Sequence, residues 1–228
     1  MFFVGMAGDG TNPVFTREVD SVAKLMKDRF GAEGHVIKLE NGPGTAETNP
    51  VASLTSLRAA LKRVAAQMDI EEDVLVLFLT SHGSTDFQFS LQLWPLDFKR
   101  LDPAALRQAL DESGIRNRIV VISACYSGGF VDKLRDDHTV VITAAAKDRN
   151  SFGCDSMADW TYFGRAYFDE ALRQTHSFTK AFDIARPLIE QREQAEKFDP
   201  SMPQISVGAA AQAKVDALAA QLDAKPSQ

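Results

Sequence analysis

The chain has 228 residues, of which 45% are hydrophobic and 25% are charged, and its formal net charge is −6. This length suits one large α/β domain or two small ones, and the apolar content is enough for a sizeable core. The negative charge and the dispersed basic residues argue against a nucleic-acid-binding protein or a protein of anionic membrane surfaces. We therefore look for a peptide, a protein or a small molecule as the partner.

No stretch approaches the roughly 18 apolar residues of a membrane-spanning helix, and the N-terminus does not resemble a signal peptide. Residues 1–5 enter a strand at once, without a polar lead-in, and we interpret this as a chain trimmed at its N-terminus. The compartment stays open between the cytoplasm and, if an anchor preceded the chain, a membrane surface.

Apolar strands alternate with amphipathic helices along the sequence. Strands are predicted at 2–6, 35–39, 73–80, 118–124, 139–144 and 204–207. Helices are predicted from Thr16, as N-cap, to Phe30, and at 51–68, 103–113, 159–174, 178–196 and 209–223, and the period-two segment 87–93 indicates a small exposed β-ribbon. This order predicts an α/β fold, a three-layer α/β/α sandwich with a mainly parallel six-stranded sheet. We expect a single domain over 1–228, with a C-terminal helix and tail at 209–228.

Two of the predicted strands end in residues that can carry chemistry. Cys125 follows strand 118–124, and His82 follows strand 73–80. In parallel α/β sheets, functional sites collect at the C-terminal ends of the strands. The other histidines begin strands or a helix and therefore lie elsewhere: they are His35, His138 and His176. The sequence thus pairs His82 with Cys125.

A Cys–His pair is suited to nucleophilic catalysis. A neutral thiol is a weak nucleophile, and a neighbouring histidine or a helix N-terminus, here after Ser127-Gly128-Gly129, favours the thiolate. Glycine after the histidine lets a backbone N–H approach a substrate closely, so the N–H groups of Gly83 and Cys125 are candidate oxyanion donors.

Several alternatives compete with this interpretation. An α/β-hydrolase would need glycines around its nucleophile, which the elbow at 123–127 lacks, and would use His176 as a late base. The order of Gly5, Gly8 and Gly10 does not match the dinucleotide fingerprint. A disulfide between Cys125 and Cys154 would consume the better-placed thiol, and no pair of residues has zinc-ligand spacing, so we expect neither a metal nor a cofactor. A buried, unreactive Cys125 stays open.

The two strand ends together carry a family resemblance. An apolar strand, His82-Gly83, a spacer of about forty residues, and a second apolar strand ending in Ala124-Cys125 resemble the legumain family of caspase-like cysteine peptidases, in a bacterial-type member. The resemblance implies an endopeptidase that acts on peptides or proteins through a thioester, with Cys125 as nucleophile and His82 as general base and acid. A catalytically silent scaffold, or a ligase that uses the same pair, stays possible.

The resemblance also implies a pocket for the residue before the scissile bond, which in legumains is Asn or, less often, Asp. Arg17 and Ser151 match two of the family's pocket positions. Arg165 stands where the family has an acid, and an arginine cannot accept the amide protons of Asn. Asp155 or Asp159 could supply that acceptor. For the partner of His82, the loop 8–13 offers Asn12 or a backbone carbonyl.

Overall fold

The central sheet is built from six of eight strands in the part of the chain that the computed structural model describes, residues 1–155 and 157–224. The strands are β1 (Phe2–Ala7), β2 (Val36–Glu40), β3 (Leu75–Thr80), β4 (Gln92–Leu93), β5 (Leu96–Asp97), β6 (Arg118–Ser123), β7 (Thr139–Thr143) and β8 (Gln204–Val207). The sheet order is β2-β1-β3-β6-β7-β8, and only β8 pairs antiparallel in it. The predicted mainly parallel six-stranded sheet is confirmed.

Helices cover both faces of this sheet. They are α1 (Val14–Phe30), α2 (Leu54–Ala65), α3 (Pro103–Ser113), α4 (Val131–Leu134), α5 (Tyr162–Gly164), α6 (Phe178–Ala195) and α7 (Ala209–Asp223). Apolar side chains of α1, α6 and α7 pack on one face, and those of α2, α3 and α4 pack on the other. The predicted three-layer α/β/α sandwich is therefore confirmed.

Local signals set several element boundaries. The Asp102 carboxylate accepts the Ala105 N–H at 2.8 Å, so Asp102 is the N-cap of α3, and the predicted bounds 103–113 of this helix are confirmed. Gly114 ends that helix with a φ of 73°, in the left-handed region that glycine adopts easily. Ser53 caps α2 and accepts the Ser56 N–H, so this helix begins later than the predicted residue 51.

Other boundaries differ from the predictions. Thr16 is not a cap, because α1 already begins at Val14 and the Thr16 hydroxyl donates to the Pro13 carbonyl at 2.9 Å. The predicted ribbon is shorter than 87–93: β4 pairs with β5, and Phe89 forms only isolated bridges.

The predicted helix 159–174 is also divided. It consists of α5 and a π-helical segment, Arg165–Ala171, which closes with a bond from the Leu172 N–H to the Tyr167 carbonyl. The end of the predicted tail, 225–228, lies outside the described residues. None of the helices in the described part of the chain is both long and apolar enough to cross a membrane.

Parallel pairing brings the C-terminal ends of five strands to one edge of the sheet, which we call the carboxyl edge. β3 and β6 are neighbours near the middle of this edge, and their register pairs Thr80 with Ser123. Side chains alternate between the two faces of a strand. The register and the alternation together decide which side chains meet at the carboxyl edge.

We predict that Asp102→Ala lowers the free energy of unfolding by about 1 kcal/mol, because the N-cap acceptor is lost. Asp102→Asn keeps an acceptor and should stay within a few tenths of a kcal/mol of the parent. Urea denaturation of the three proteins measures both differences. An equal loss in both variants would contradict the capping role of the side chain.

Candidate active site

His82 and Cys125 lie opposite one another at the carboxyl edge. The β3–β6 register ends with Thr80 paired to Ser123, and the next residue continues it, because the Ser81 N–H donates to the Ser123 carbonyl at 3.1 Å. His82 and Cys125 each lie two residues beyond the last pair, and the close approach of Gly83 to the Cys125 carbonyl shows that the two segments stay adjacent there.

The two side chains also share one face of the sheet. Phe78 and Val121 belong to the core on the α1 side, whereas Ala124 belongs to the core on the opposite side. Because side chains alternate along a strand, His82 and Cys125 follow Phe78 and Val121 onto the α1 side. The imidazole and the thiol therefore lie on the same side of the sheet.

Gly83 lies directly against the backbone of Cys125. A Cβ atom at position 83 would be only 2.0 Å from the Cys125 carbonyl oxygen, so no other residue fits without a shift of the backbone. Within the described residues, the N–H groups of Gly83 and Cys125 donate to no backbone carbonyl. Two backbone donors are thus left beside the thiol.

Asn12 and Phe15 hold the imidazole from the α1 side. The Asn12 amide nitrogen lies 2.9 Å from His82 Nε2 and donates to the Cys154 carbonyl at 3.2 Å. The Phe15 ring meets the imidazole edge-on, with centroids 5.1 Å apart. Of the two partners that the sequence offered for His82, the Asn12 side chain is the one in contact with it. An amide nitrogen only donates, so Nε2 is the acceptor in this arrangement and Nδ1 carries the ring proton.

The Cys125 thiol is held by one residue of the neighbouring loop. Its S–H donates to the Ser151 carbonyl at 3.3 Å, and its sulfur accepts the Ser151 N–H at 3.2 Å. Burial raises the pKa of the Cys125 thiol, against the opposing effect of the N–H groups of Ser151 and Cys125. The expectation that a helix N-terminus makes this cysteine a thiolate is therefore wrong, since the turn 127–130 is a short 3-10 helix and burial dominates.

The backbone turns sharply directly after the thiol. Tyr126 has φ of 57°, in the left-handed region that non-glycine residues rarely adopt, and its N–H donates to the Arg149 carbonyl at 2.8 Å. Gly128 follows, where a Cβ would lie 2.5 Å from the backbone nitrogen of Lys147. This turn follows the end of β6 at Ser123, and Cys125 within it is partly exposed.

The predicted pocket residues Arg17 and Asp155 meet at one surface turn. Arg17 is exposed, and its Nη1 donates to the Ala158 carbonyl at 2.9 Å. The Ala158 N–H in turn donates to the Asp155 carbonyl, while the exposed Asp155 carboxylate accepts the Met157 N–H at 2.8 Å. Arg17 and Asp155 are thus brought onto the loop that also contains Ser151.

Arg165 lies in a different environment. Its Nε is 3.3 Å from a Glu170 carboxylate oxygen, and its side chain is 60% exposed. Glu170 also pairs with Arg192 of α6. Within the described residues, the Arg165 side chain therefore contacts the π-helical segment, and not Arg17, Ser151 or Cys125.

Glu18 is a residue of this region that the sequence interpretation missed. It is fully buried in α1, and its carboxylate accepts bonds from Thr80 and Thr161. Burial raises the pKa of the Glu18 carboxyl, and these hydrogen bonds oppose the rise. A signal existed in the sequence, because Glu18 stands four residues from both Val14 and Val22, on the apolar stripe of the helix.

Comparison with known proteins identifies the family of the chain. The model of the Peptidase C13 family, the legumain family of the caspase-like clan, matches residues 46–214. The chain belongs to the Peptidase C13 family. No curated protein matches the chain. The matched range contains His82 and Cys125 and begins after Asn12, Arg17 and Glu18.

A solved structure supports the fold. Caspase-1 from Spodoptera frugiperda matches with a TM-score of 0.62 over 90% of this chain and 85% of that chain, at 10% sequence identity. At this identity the likeness shows the caspase-like fold alone. Family and fold together make the protein a cysteine peptidase.

The peptidase has a second cysteine in the same region, and the two differ in reactivity. Cys125 and Cys154 are both free thiols. Burial raises the pKa of Cys154 to about 12, and the charges of Cys125 and Glu18 act in the same direction. Cys154 therefore stays a neutral thiol at any pH at which the peptidase would work.

We predict that iodoacetamide modifies Cys125 and leaves Cys154 unmodified at about pH 8, because only the thiolate reacts. The rate at Cys125 should rise roughly tenfold per pH unit between about pH 6.5 and 8.5, since its raised pKa keeps the thiolate a minor species there. Mass spectrometry of the labelled peptides measures both rates, and Cys125→Ala identifies any label on Cys154. A rate that is already constant from about pH 6 would show a preformed thiolate instead.

Proposed function

We propose that the protein is a cysteine endopeptidase in which Cys125 is the nucleophile and His82 is the general base and acid. The observation that carries the proposal is the placement of these two side chains in register on one face at the carboxyl edge. Nucleophilic catalysis requires that arrangement, in which a base can reach the thiol proton.

In the proposed reaction, His82 Nδ1 takes the thiol proton while the Cys125 sulfur attacks the carbonyl carbon of the scissile peptide bond. The resulting oxyanion accepts hydrogen bonds from the N–H groups of Gly83 and Cys125, which are aimed at developing charge. His82 then gives the proton to the leaving amine, and a thioester forms. Water, deprotonated by His82, attacks the thioester and releases the carboxylic acid and the free thiol.

The raised pKa of Cys125 supports base catalysis over a resting ion pair. A thiol that is neutral at pH 7 needs its proton removed at the moment of attack. Its proton points to the Ser151 carbonyl in the resting enzyme. A substrate that displaces this contact would free the proton for His82.

Asn12 is the proposed orienting partner of the base. When Nδ1 accepts a proton, Nε2 of the same ring must already carry one, so its partner must then be an acceptor. In the structure the Asn12 amide nitrogen faces Nε2 at 2.9 Å, so the amide must first turn over to present its carbonyl oxygen to the Nε2–H, and it then gives up its bond to the Cys154 carbonyl. This partner would stabilise the imidazolium that forms during attack.

For the substrate we propose cleavage after Asn or Asp. Arg17 supplies a guanidinium for a side-chain carbonyl or carboxylate, Ser151 lies at the thiol, and the Asp155 carboxylate can accept amide protons. Arg165 pairs with Glu170, so we assign the cationic role in the pocket to Arg17.

A mixed peptide library incubated with the protein should yield internal cleavage products, read by mass spectrometry, and none with Cys125→Ala. His82→Ala should lower the rate at least about a hundredfold, because general base catalysis is lost. Cleavage that persists in Cys125→Ala would contradict the mechanism. Products joined to an added amine, instead of hydrolysed, would identify a ligase, and no product with no probe labelling of Cys125 would identify a scaffold.

The pocket assignment predicts a specific effect of Arg17→Ala. For a peptide with Asp before the scissile bond, kcat/KM should fall about tenfold or more, because a charge-assisted contact of about 1.5–3 kcal/mol is lost. Arg165→Ala is the matched control and should change kcat/KM less than about twofold. If Arg165→Ala had the larger effect, the cationic role would belong to Arg165.

A further inference from the structure

Glu18 is a buried acid whose two carboxyl oxygens accept hydrogen bonds from three donors. Its Oε2 accepts the Thr80 hydroxyl at 2.6 Å, and its Oε1 accepts the Thr161 N–H at 3.0 Å and the Thr161 hydroxyl at 2.7 Å. The residue is 0% exposed, and within the described residues it forms no ion pair. All the groups that hydrogen-bond to its carboxylate are therefore uncharged.

Such a group is not needed for packing. A buried charge without a cation costs several kcal/mol that its hydrogen bonds must offset, and an apolar side chain of similar volume would serve the core at least as well. The reason for a carboxylate at this position must therefore be sought in what its hydrogen bonds hold together.

The donors come from the segments that present the dyad. Thr80 is two residues before His82, so the two side chains are neighbours on one face of β3. Ser123 is likewise two residues before Cys125, and its hydroxyl lies 3.2 Å from the Thr161 hydroxyl. The carboxylate thus binds Thr80 directly and is linked to Ser123 through Thr161. These are the side chains two residues before His82 and Cys125.

The chain around Thr161 is fitted closely to this carboxylate. The Gly164 N–H donates to the Thr161 hydroxyl oxygen at 3.0 Å, and the same hydroxyl donates to Glu18. A Cβ at position 164 would lie 1.8 Å from Glu18 Oε1, so glycine is required there. The loop that starts beside the thiol is therefore tied down at its far end by Glu18.

We propose that Glu18 is a positioning residue of the peptidase, whose carboxylate holds the ends of β3 and β6 and the loop ending at Thr161 in the arrangement that aligns His82 with Cys125. The inference rests on the proposed function of that pair. One N–H and two hydroxyl groups converge on Glu18, and only an acceptor on both oxygens satisfies all three. Glutamine has the same shape but turns an NH₂ group towards one donor, so it loosens one tie while keeping the volume.

The test compares Glu18→Gln with Glu40→Gln. Glu40 is a second buried carboxylate, 2% exposed, at the end of β2 and away from the dyad. It accepts a hydrogen bond from the Asn49 side chain. With a cleaved peptide, Glu18→Gln should lower kcat roughly ten- to a hundredfold and change KM less than about twofold, as expected when geometry rather than binding is lost. Glu40→Gln should leave both constants within about twofold of the parent. A folded Glu18→Gln protein with the parent's kcat would overturn the proposal.

A second pair of variants tests the same proposal if Glu18→Gln does not fold. Thr80→Val keeps the volume of Thr80 and removes the hydroxyl that Glu18 accepts, whereas Thr80→Ser keeps the hydroxyl. We expect kcat to fall in Thr80→Val and to be restored in Thr80→Ser, although the smaller serine lowers stability. Equal kcat values in the two variants would overturn the role of the Glu18–Thr80 bond.

A measurement that needs no substrate separates this inference from the proposed function. In backbone amide spectra, Glu18→Gln should shift the resonances of His82, Gly83 and Cys125, whereas Glu40→Gln should not. If the parent cleaves no peptide, the proposed endopeptidase fails, but these shifts would still support the positioning role. Unchanged resonances at all three residues would overturn that role whether or not the parent is active.

Discussion

The register between β3 and β6 is the constraint on which the rest of the site depends. A slip of one residue would send one of the two functional side chains to the opposite face of the sheet, because side chains alternate along a strand. Six paired positions, Leu75 with Arg118 through Thr80 with Ser123, fix the register. Both strands are buried throughout, and the four middle pairs, from Val76 with Ile119 to Leu79 with Ile122, join two apolar side chains whose packing a slip would disrupt. The fold thereby defines the relative position of His82 and Cys125.

The start of α1 supplies the second constraint. Asn12 lies just before the helix, and Phe15 and Glu18 follow at intervals of three residues, so they share one side of the helix. Asn12 and Phe15 contact the imidazole, and Glu18 contacts the strand end beneath it. All three precede the range that the family model matches, 46–214. Their roles are therefore argued from contacts alone, whereas His82 and Cys125 also lie in the matched range.

The parts of this site that the sequence predicts are those that depend on short-range rules. Strand ends at His82 and Cys125 can be located because apolar runs have clear limits, and Asp102 is recognisable as a cap because its partner is three residues away. Tertiary burial is not readable in this way. It raises the pKa of Cys125 where a local argument from a helix N-terminus predicts the reverse.

The tertiary contacts of Glu18 and Arg165 are likewise not readable from the sequence. Nothing within a few residues of Glu18 shows that Thr161, distant in sequence, supplies two of its three donors. Arg165 was aligned with a pocket position by order along the chain, yet its ion pair is with Glu170 on the π-helical segment, whose wider turn no periodicity argument anticipated.

The loop from Arg149 to Thr161 makes contacts with each part of this site. Ser151 engages the thiol with both backbone groups, the Cys154 carbonyl holds the amide of Asn12, and Thr161 binds the buried carboxylate. One segment thus contacts the proposed nucleophile Cys125, the proposed partner of His82 and the buried Glu18. The same segment carries Asp155 and the carbonyl that Arg17 binds. The shape of the proposed substrate pocket and the alignment of the dyad therefore cannot vary independently, because both are set by how this loop lies on the carboxyl edge.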